Sequence, residues 1–242
     1  MFYYLLDPQL SYHLILVAAA VIPALLLMIK VYRSDKLEKE STGLLLNLVK
    51  AGVLSSLLAL VEERVLSVLL GFAVSTDDPL YNVILYFGIV ACAEESSKYL
   101  FLRIHTWKNN EFNCQYDGVV YAVFVSLGFA LWENISYVLQ YGLGTALIRA
   151  GTAIPGHACF GVFMGIFYGI AKKYENFGDH GTSKMFRILA IIFPAGLHGA
   201  YDYIATMEGN NGEVYFIGFI AVLFIVSYIL VNRMSRNDRY IG

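Results

Sequence analysis

The chain has 242 residues, 58% of them hydrophobic and 15% charged, with mean hydropathy +0.60 and formal net charge −2. This composition excludes an ordinary soluble domain and marks an integral membrane protein. The near-neutral charge, without a basic arm or aromatic-interleaved basic patch, argues against a nucleic-acid partner. Cys92, Cys114 and Cys159 are too scattered for a disulfide or zinc framework.

A membrane-crossing helix needs about 20 apolar residues. Such stretches lie near 12–32, 43–61, 80–102, 118–139, 152–171, 186–206 and 213–232. They predict an all-α polytopic helix bundle of about seven transmembrane helices in a single domain, 1–242. Residues 65–74 either prolong the second helix or lie at the interface, which leaves a count of eight open. The first apolar run has no Lys or Arg before it and continues past Pro23 to Ile29, so a retained span is expected rather than a cleaved signal peptide.

Basic residues cluster in alternate connections: Lys30, Arg33, Lys36 and Lys39, then Arg103 and Lys108, then Lys172, Lys173, Lys184 and Arg187, and finally Arg233, Arg236 and Arg239. The connections between hold little beyond Arg64 and Arg149. The positive-inside rule then places the N-terminus outside and the C-terminus in the cytoplasm.

Ionisable residues interrupt four of the apolar stretches. Glu94, Glu95 and Lys98 lie in the third, Glu133 in the fourth, His157 in the fifth, and His198 and Asp202 in the sixth. Each charge at such depth costs roughly 2.5–3.5 kcal/mol on insertion scales and is tolerated chiefly at a protein interior or a wet cavity. The spacing of four puts Glu94 with Lys98, Phe129 with Glu133, and His198 with Asp202 on common helix faces. Glu95 is turned about 100° from Glu94, so the two acids can take different roles. Counting the rise per residue sets Glu94 roughly 18 Å, His198 roughly 12 Å, and Glu133, His157 and Asp202 roughly 5–10 Å below the outer edge. These depths overlap in the outer half of the bilayer.

A carboxylate in a partly dry cavity, balanced by a lysine one turn away, can serve as a general base. An imidazole can donate to an oxyanion while an acid such as Asp202 orients it. Carboxylate, water and donors suffice for amide hydrolysis. No cofactor is expected; zinc held by His157 and His198 is the open but less favoured alternative, since there is no His-Glu-x-x-His helix. Phe129 and Trp132 are expected to pack. Lys98 either joins the site or snorkels to the cytoplasmic edge. Glu62 and Glu63 are expected where the second span leaves the membrane.

Glu94-Glu95-Ser96-Ser97-Lys98, Phe129-Ala130-Leu131-Trp132-Glu133 and His198-Gly199-Ala200-Tyr201-Asp202, in that order on successive helices, resemble the PrsW family of intramembrane proteases. Pro155-Gly156-His157 also looks like that family, and the resemblance covers a catalytic core of about 80–206. The family is similar to the CAAX prenyl endopeptidases, to Abi-type membrane proteins and to the gamma-secretase scaffold subunit. Glu133 stands where the prenyl endopeptidases place a histidine, so their full mechanism is not carried over. The resemblance implies that Glu94 activates water with help from Glu95, and that His198 and Asp202 stabilise the oxyanion or orient substrate. His157 is a further candidate on the same cavity. It further implies site-one cleavage of a single-span anti-sigma factor in a prokaryotic plasma membrane. The competing readings are a proton- or ion-coupled transporter, in which these groups form a relay, and a non-catalytic membrane scaffold.

Overall fold

The computed structural model describes residues 8–207 and 209–242. Helices α1 (Pro8–Ser34) and α2 (Thr42–Ala73) are followed by a continuous rod over 79–106, made of α3 (Pro79–Val83), a π-helical segment (Ile84–Val90) and α4 (Ala91–Thr106). Then come α5 (Asp117–Tyr141), the short α6 (Leu143–Gly151), α7 (Ala153–Asn176), α8 (His180–Ala205) and α9 (Asn210–Arg236). Among the described residues, six helical segments are long and apolar enough to cross a membrane, α6 and α7 counting as one. The rod over 79–106 is the seventh long helix, and Glu94, Glu95 and Lys98 dilute its apolar character. Residues 65–73 continue α2, so they add no eighth crossing.

Local chemistry sets the helix starts. Ser41 caps α2 by accepting from the Leu44 amide, Asp78 caps α3 ahead of Pro79, and Asp179 caps α8 through the Thr182 amide. Gly142 adopts φ +83° between α5 and α6, a conformation costly for residues with a Cβ.

Helix α5 is the central element. It packs against α1, α2, α4, α6 and α7, and it is buried almost continuously from Asp117 to Ala130. Its crossing with α7 is very close: a Cβ added to Gly165 would lie 2.4 Å from the Gly118 carbonyl oxygen and from Val119 Cα. Small residues permit such approach where lipid supplies no hydrophobic drive for helix association. Helix α9 is peripheral and exposes Val214, Ile217, Val222, Ile225 and Ile229, an apolar surface suited to lipid.

The π-helical segment lies immediately ahead of the acid pair. The Ala91 amide donates to the Tyr86 carbonyl, five residues back, so this turn is wider than an α-helical one. Helix α8 approaches the widened turn through Gly199, where a Cβ would meet Phe87 at 2.6 Å. His198 is thereby pressed against α4.

Candidate active site

The side chains singled out in the sequence meet at one end of the bundle. Glu133 lies in the second half of α5, His157 near the start of α7, and His198 and Asp202 near the end of α8, around Glu94 and Glu95 on α4. Glu94, Glu133, His157, His198 and Asp202 border a cavity of about 400 Å³, lined also by Ser56 and Glu63 of α2, Tyr86 and Val90 of the π-helical segment, Trp132, Arg149 and Phe160. That volume suits a short stretch of ligand with a few oriented polar groups.

The two adjacent acids differ in exposure and company. Glu94 lines the cavity, and its Oε2 is 3.0 Å from Lys98 Nζ. Glu95 is fully buried behind it; its Oε1 accepts from Lys98 Nζ at 2.7 Å and meets His198 Nδ1 at 2.9 Å. The 100° offset between neighbouring helical residues produces this division.

Lys98 is fully buried and does not snorkel. Its ammonium meets both glutamates, donates to His157 Nδ1 at 3.2 Å, and sits 4.1 Å from the centre of the Phe129 ring. Phe129 therefore packs and also presents its π face to the cation. Because an ammonium only donates, His157 Nδ1 is the acceptor, and its other nitrogen, Nε2, carries the hydrogen donated to Glu133 Oε2 at 2.8 Å. The Lys98, His157 and Glu133 side chains thus form one polar chain across three helices. Ser126 fixes the backbone of this turn by donating to the His157 carbonyl at 2.6 Å.

His198 stacks on Phe160 with ring centres 4.7 Å apart and lies edge-on to His157 at 5.4 Å. Its Nδ1 is held by Glu95, whereas Asp202 Oδ2 lies 3.5 Å from its Nε2. The acid that orients the ring is therefore Glu95 on another helix; Asp202, expected in that role from its spacing, faces the cavity at longer range. Trp132, expected as a packing residue, is 43% exposed and lines the cavity instead.

Two participants were not anticipated. Glu63 lines the cavity, and the helix that carries it runs on to Ala73 rather than ending at the Glu62–Glu63 pair. Glu62 accepts from Ser97 at 3.1 Å on the adjoining face. The legible signal was helical spacing: Ser56, Leu60 and Glu63 share a face and all line the cavity. Arg149, from amphipathic α6, pairs with Glu133 at 2.9 Å, donates to Asn134 at 2.6 Å and lies over Tyr137 at 4.0 Å. Its polar partners lie two turns or more away in sequence, so no local motif announced it.

Glu94, Glu95 and His157 offer donor atoms within 4.8 Å of one another, and Glu95 Oε2 is buried without a hydrogen-bond partner. Imidazole and carboxylate donors suit a zinc-type ion. The same three side chains also converge on Lys98 Nζ, so the ammonium stands where their donors meet.

A family model described as PrsW family intramembrane metalloprotease matches residues 40–231. Protease PrsW of Shouchella clausii is 32% identical over 225 residues, covering 91% of this chain and 97% of the relative. Protease PrsW of Halalkalibacterium halodurans is 30% identical over 224 residues, covering 93% and 99%. Protease PrsW of Bacillus subtilis is 37% identical over 131 residues, covering 54% of this chain and 58% of that protein. No solved structure matches the chain. With the family model spanning most of the sequence and bacterial relatives aligned nearly end to end, the chain belongs to the PrsW family of intramembrane proteases, integral membrane enzymes of prokaryotes.

Proposed function

We propose that this protease cleaves a single-span membrane protein of the anti-sigma-factor type, using a water activated by Glu94. The observation that carries the reading is the inequality of the acid pair: Glu94 borders the cavity while Glu95 is sealed behind it. Lys98 occupies Glu94 Oε2, which leaves Oε1 to take a proton from water as its oxygen adds to the scissile carbonyl. A doubly protonated His198 donates Nδ1–H to Glu95 and presents Nε2–H to the developing oxyanion. Glu94 then returns the proton to the departing amine. Glu133 and Lys98 fix the His157 ring that forms the adjoining wall, and Arg149 holds Glu133 from the side of α6.

The matching family description includes a metal, and Glu94, Glu95 and His157 supply donors of suitable type around the position that the Lys98 ammonium holds. When bound there, such an ion would polarise the scissile carbonyl and lower the pKa of water. The charge bias of the connections supports an outside N-terminus and hence a cavity in the outer half of the bilayer.

Co-expression in intact membranes with the host's single-span anti-sigma factors tests the reading. A fragment made by wild type and lost in both Glu94→Gln and His198→Ala is the expected result. Undiminished product from folded Glu94→Gln would overturn the base assignment.

A further inference from the structure

A second group of buried acids lies at the other end of the bundle. Asp35 and Glu40 come from the connection between α1 and α2, and Asp117 from the first turn of α5. A rise of about 1.5 Å per residue puts Asp117 roughly 24 Å along α5 from Glu133, well away from the active-site cavity. The three residues are 2%, 5% and 1% exposed and present carboxylate oxygens within 4.8 Å of one another.

Their hydrogen bonding is incomplete. Glu40 Oε2 accepts from Tyr121 at 2.6 Å, and Asp117 Oδ2 accepts from the Asn113 and Cys114 amides at 3.0 and 2.6 Å. Among the described residues neither oxygen of Asp35 makes a well-formed hydrogen bond, with the Leu37 and Glu38 backbone amides facing its carboxylate, nor does Asp117 Oδ1, and all three atoms are buried. Among the described residues no ion pair reaches any of these carboxylates. Lys39, the nearby cation, directs its ammonium to the Tyr32 and Asp35 carbonyls. Asp238 adds a fourth acid close to Asp117, with its Oδ1 on the Tyr116 amide and its Oδ2 buried and unpaired. Converging acids with orphaned oxygens carry a desolvation cost that a cation would offset.

We propose that Asp35, Glu40 and Asp117 bind a hard divalent cation of the magnesium, manganese or calcium class. An all-oxygen, carboxylate-rich donor set selects such ions over softer metals. The ion would tie the α1–α2 connection to α5. It would also reach the carboxyl-terminal segment, whose Arg239 carbonyl accepts from the Gln115 amide and whose Ile241 amide donates to the Asn113 carbonyl.

The test uses the full chain in detergent micelles, stripped with chelator and titrated with Mn²⁺ under electron paramagnetic resonance and thermal unfolding. Glu94→Gln serves as the background in which any ion at the active site is weakened. Binding there that falls at least tenfold on adding Asp35→Asn, with the Mn²⁺-dependent rise in melting temperature also lost, is the expected result. Metal-free Asp35→Asn should melt no lower than its parent, because a repulsive buried charge is removed; Glu40→Gln repeats the test should Asp35→Asn fail to fold. Cys114→Ser should leave Mn²⁺ binding unchanged. Equal Mn²⁺ binding with and without Asp35 and Glu40, or no binding by the parent at millimolar Mn²⁺, would refute the site and leave protons as the neutralising species.

Discussion

Glu95 Oε1 lies 2.9 Å from His198 Nδ1, so an acid on α4 holds an imidazole on α8. This contact converts two motifs far apart in sequence into one unit, in which Glu95 positions and Glu94 faces the cavity.

The two glutamates should therefore fail differently on neutralisation. Glu94→Gln should lower cleavage by about 10²–10⁴-fold with little loss of thermal stability. Glu95→Gln should lower both, since it removes the charge that balances Lys98 and holds His198. Cleavage in membranes, paired with melting in detergent, separates the outcomes; equal behaviour of the two variants would contradict the division.

Lys98→Met should destabilise the fold by about 3–5 kcal/mol, because two carboxylates lose their buried counter-charge. Adding Glu95→Gln should recover part of that loss. A double-mutant cycle measures the coupling, and strict additivity would show that the pair does not interact.

Gly165→Ala should cost about 1–3 kcal/mol through overpacking, as the new methyl would collide with the backbone of α5. Gly218→Ala in α9, with nothing within 4 Å of the added Cβ, should be neutral or slightly stabilising. Thermal unfolding of both variants provides the comparison.

Burial raises the Glu40 carboxyl from 4.5 to about 7. The folded chain then holds this proton more tightly than the unfolded chain. Its stabilising contribution is present below about pH 4.5 and lost as pH rises through about 7. Chelator-treated wild type should lose melting temperature relative to Glu40→Gln as pH rises from about 4.5 to about 7. Parallel curves would remove Glu40 as the titrating group.

A reporter fused after Gly242 should be cytoplasmic if the distribution of basic residues sets the orientation. An external signal would reverse the inferred side of cleavage.

The helical frame was readable because each crossing imposes a long apolar run, and the active-site residues stood out because charge in such runs is costly. Pairings between helices were less legible. Residues four apart suggested Asp202 as the partner of His198, whereas the packing of α4 on α8 supplied Glu95 instead. Glu63 was obscured because an acid pair inside an apolar run looks like its end. Arg149 was obscured because its contact with Glu133 depends on how α6 folds back over α5.

The widened turn at Ile84–Val90 changes the phase of everything that follows it. One additional residue in a helical turn rotates the downstream chain by about 100° relative to an uninterrupted α-helix. The directions of Glu94, Glu95 and Lys98 are thus set by an offset upstream of them, and a single-residue deletion there would redirect all three while leaving their own sequence untouched.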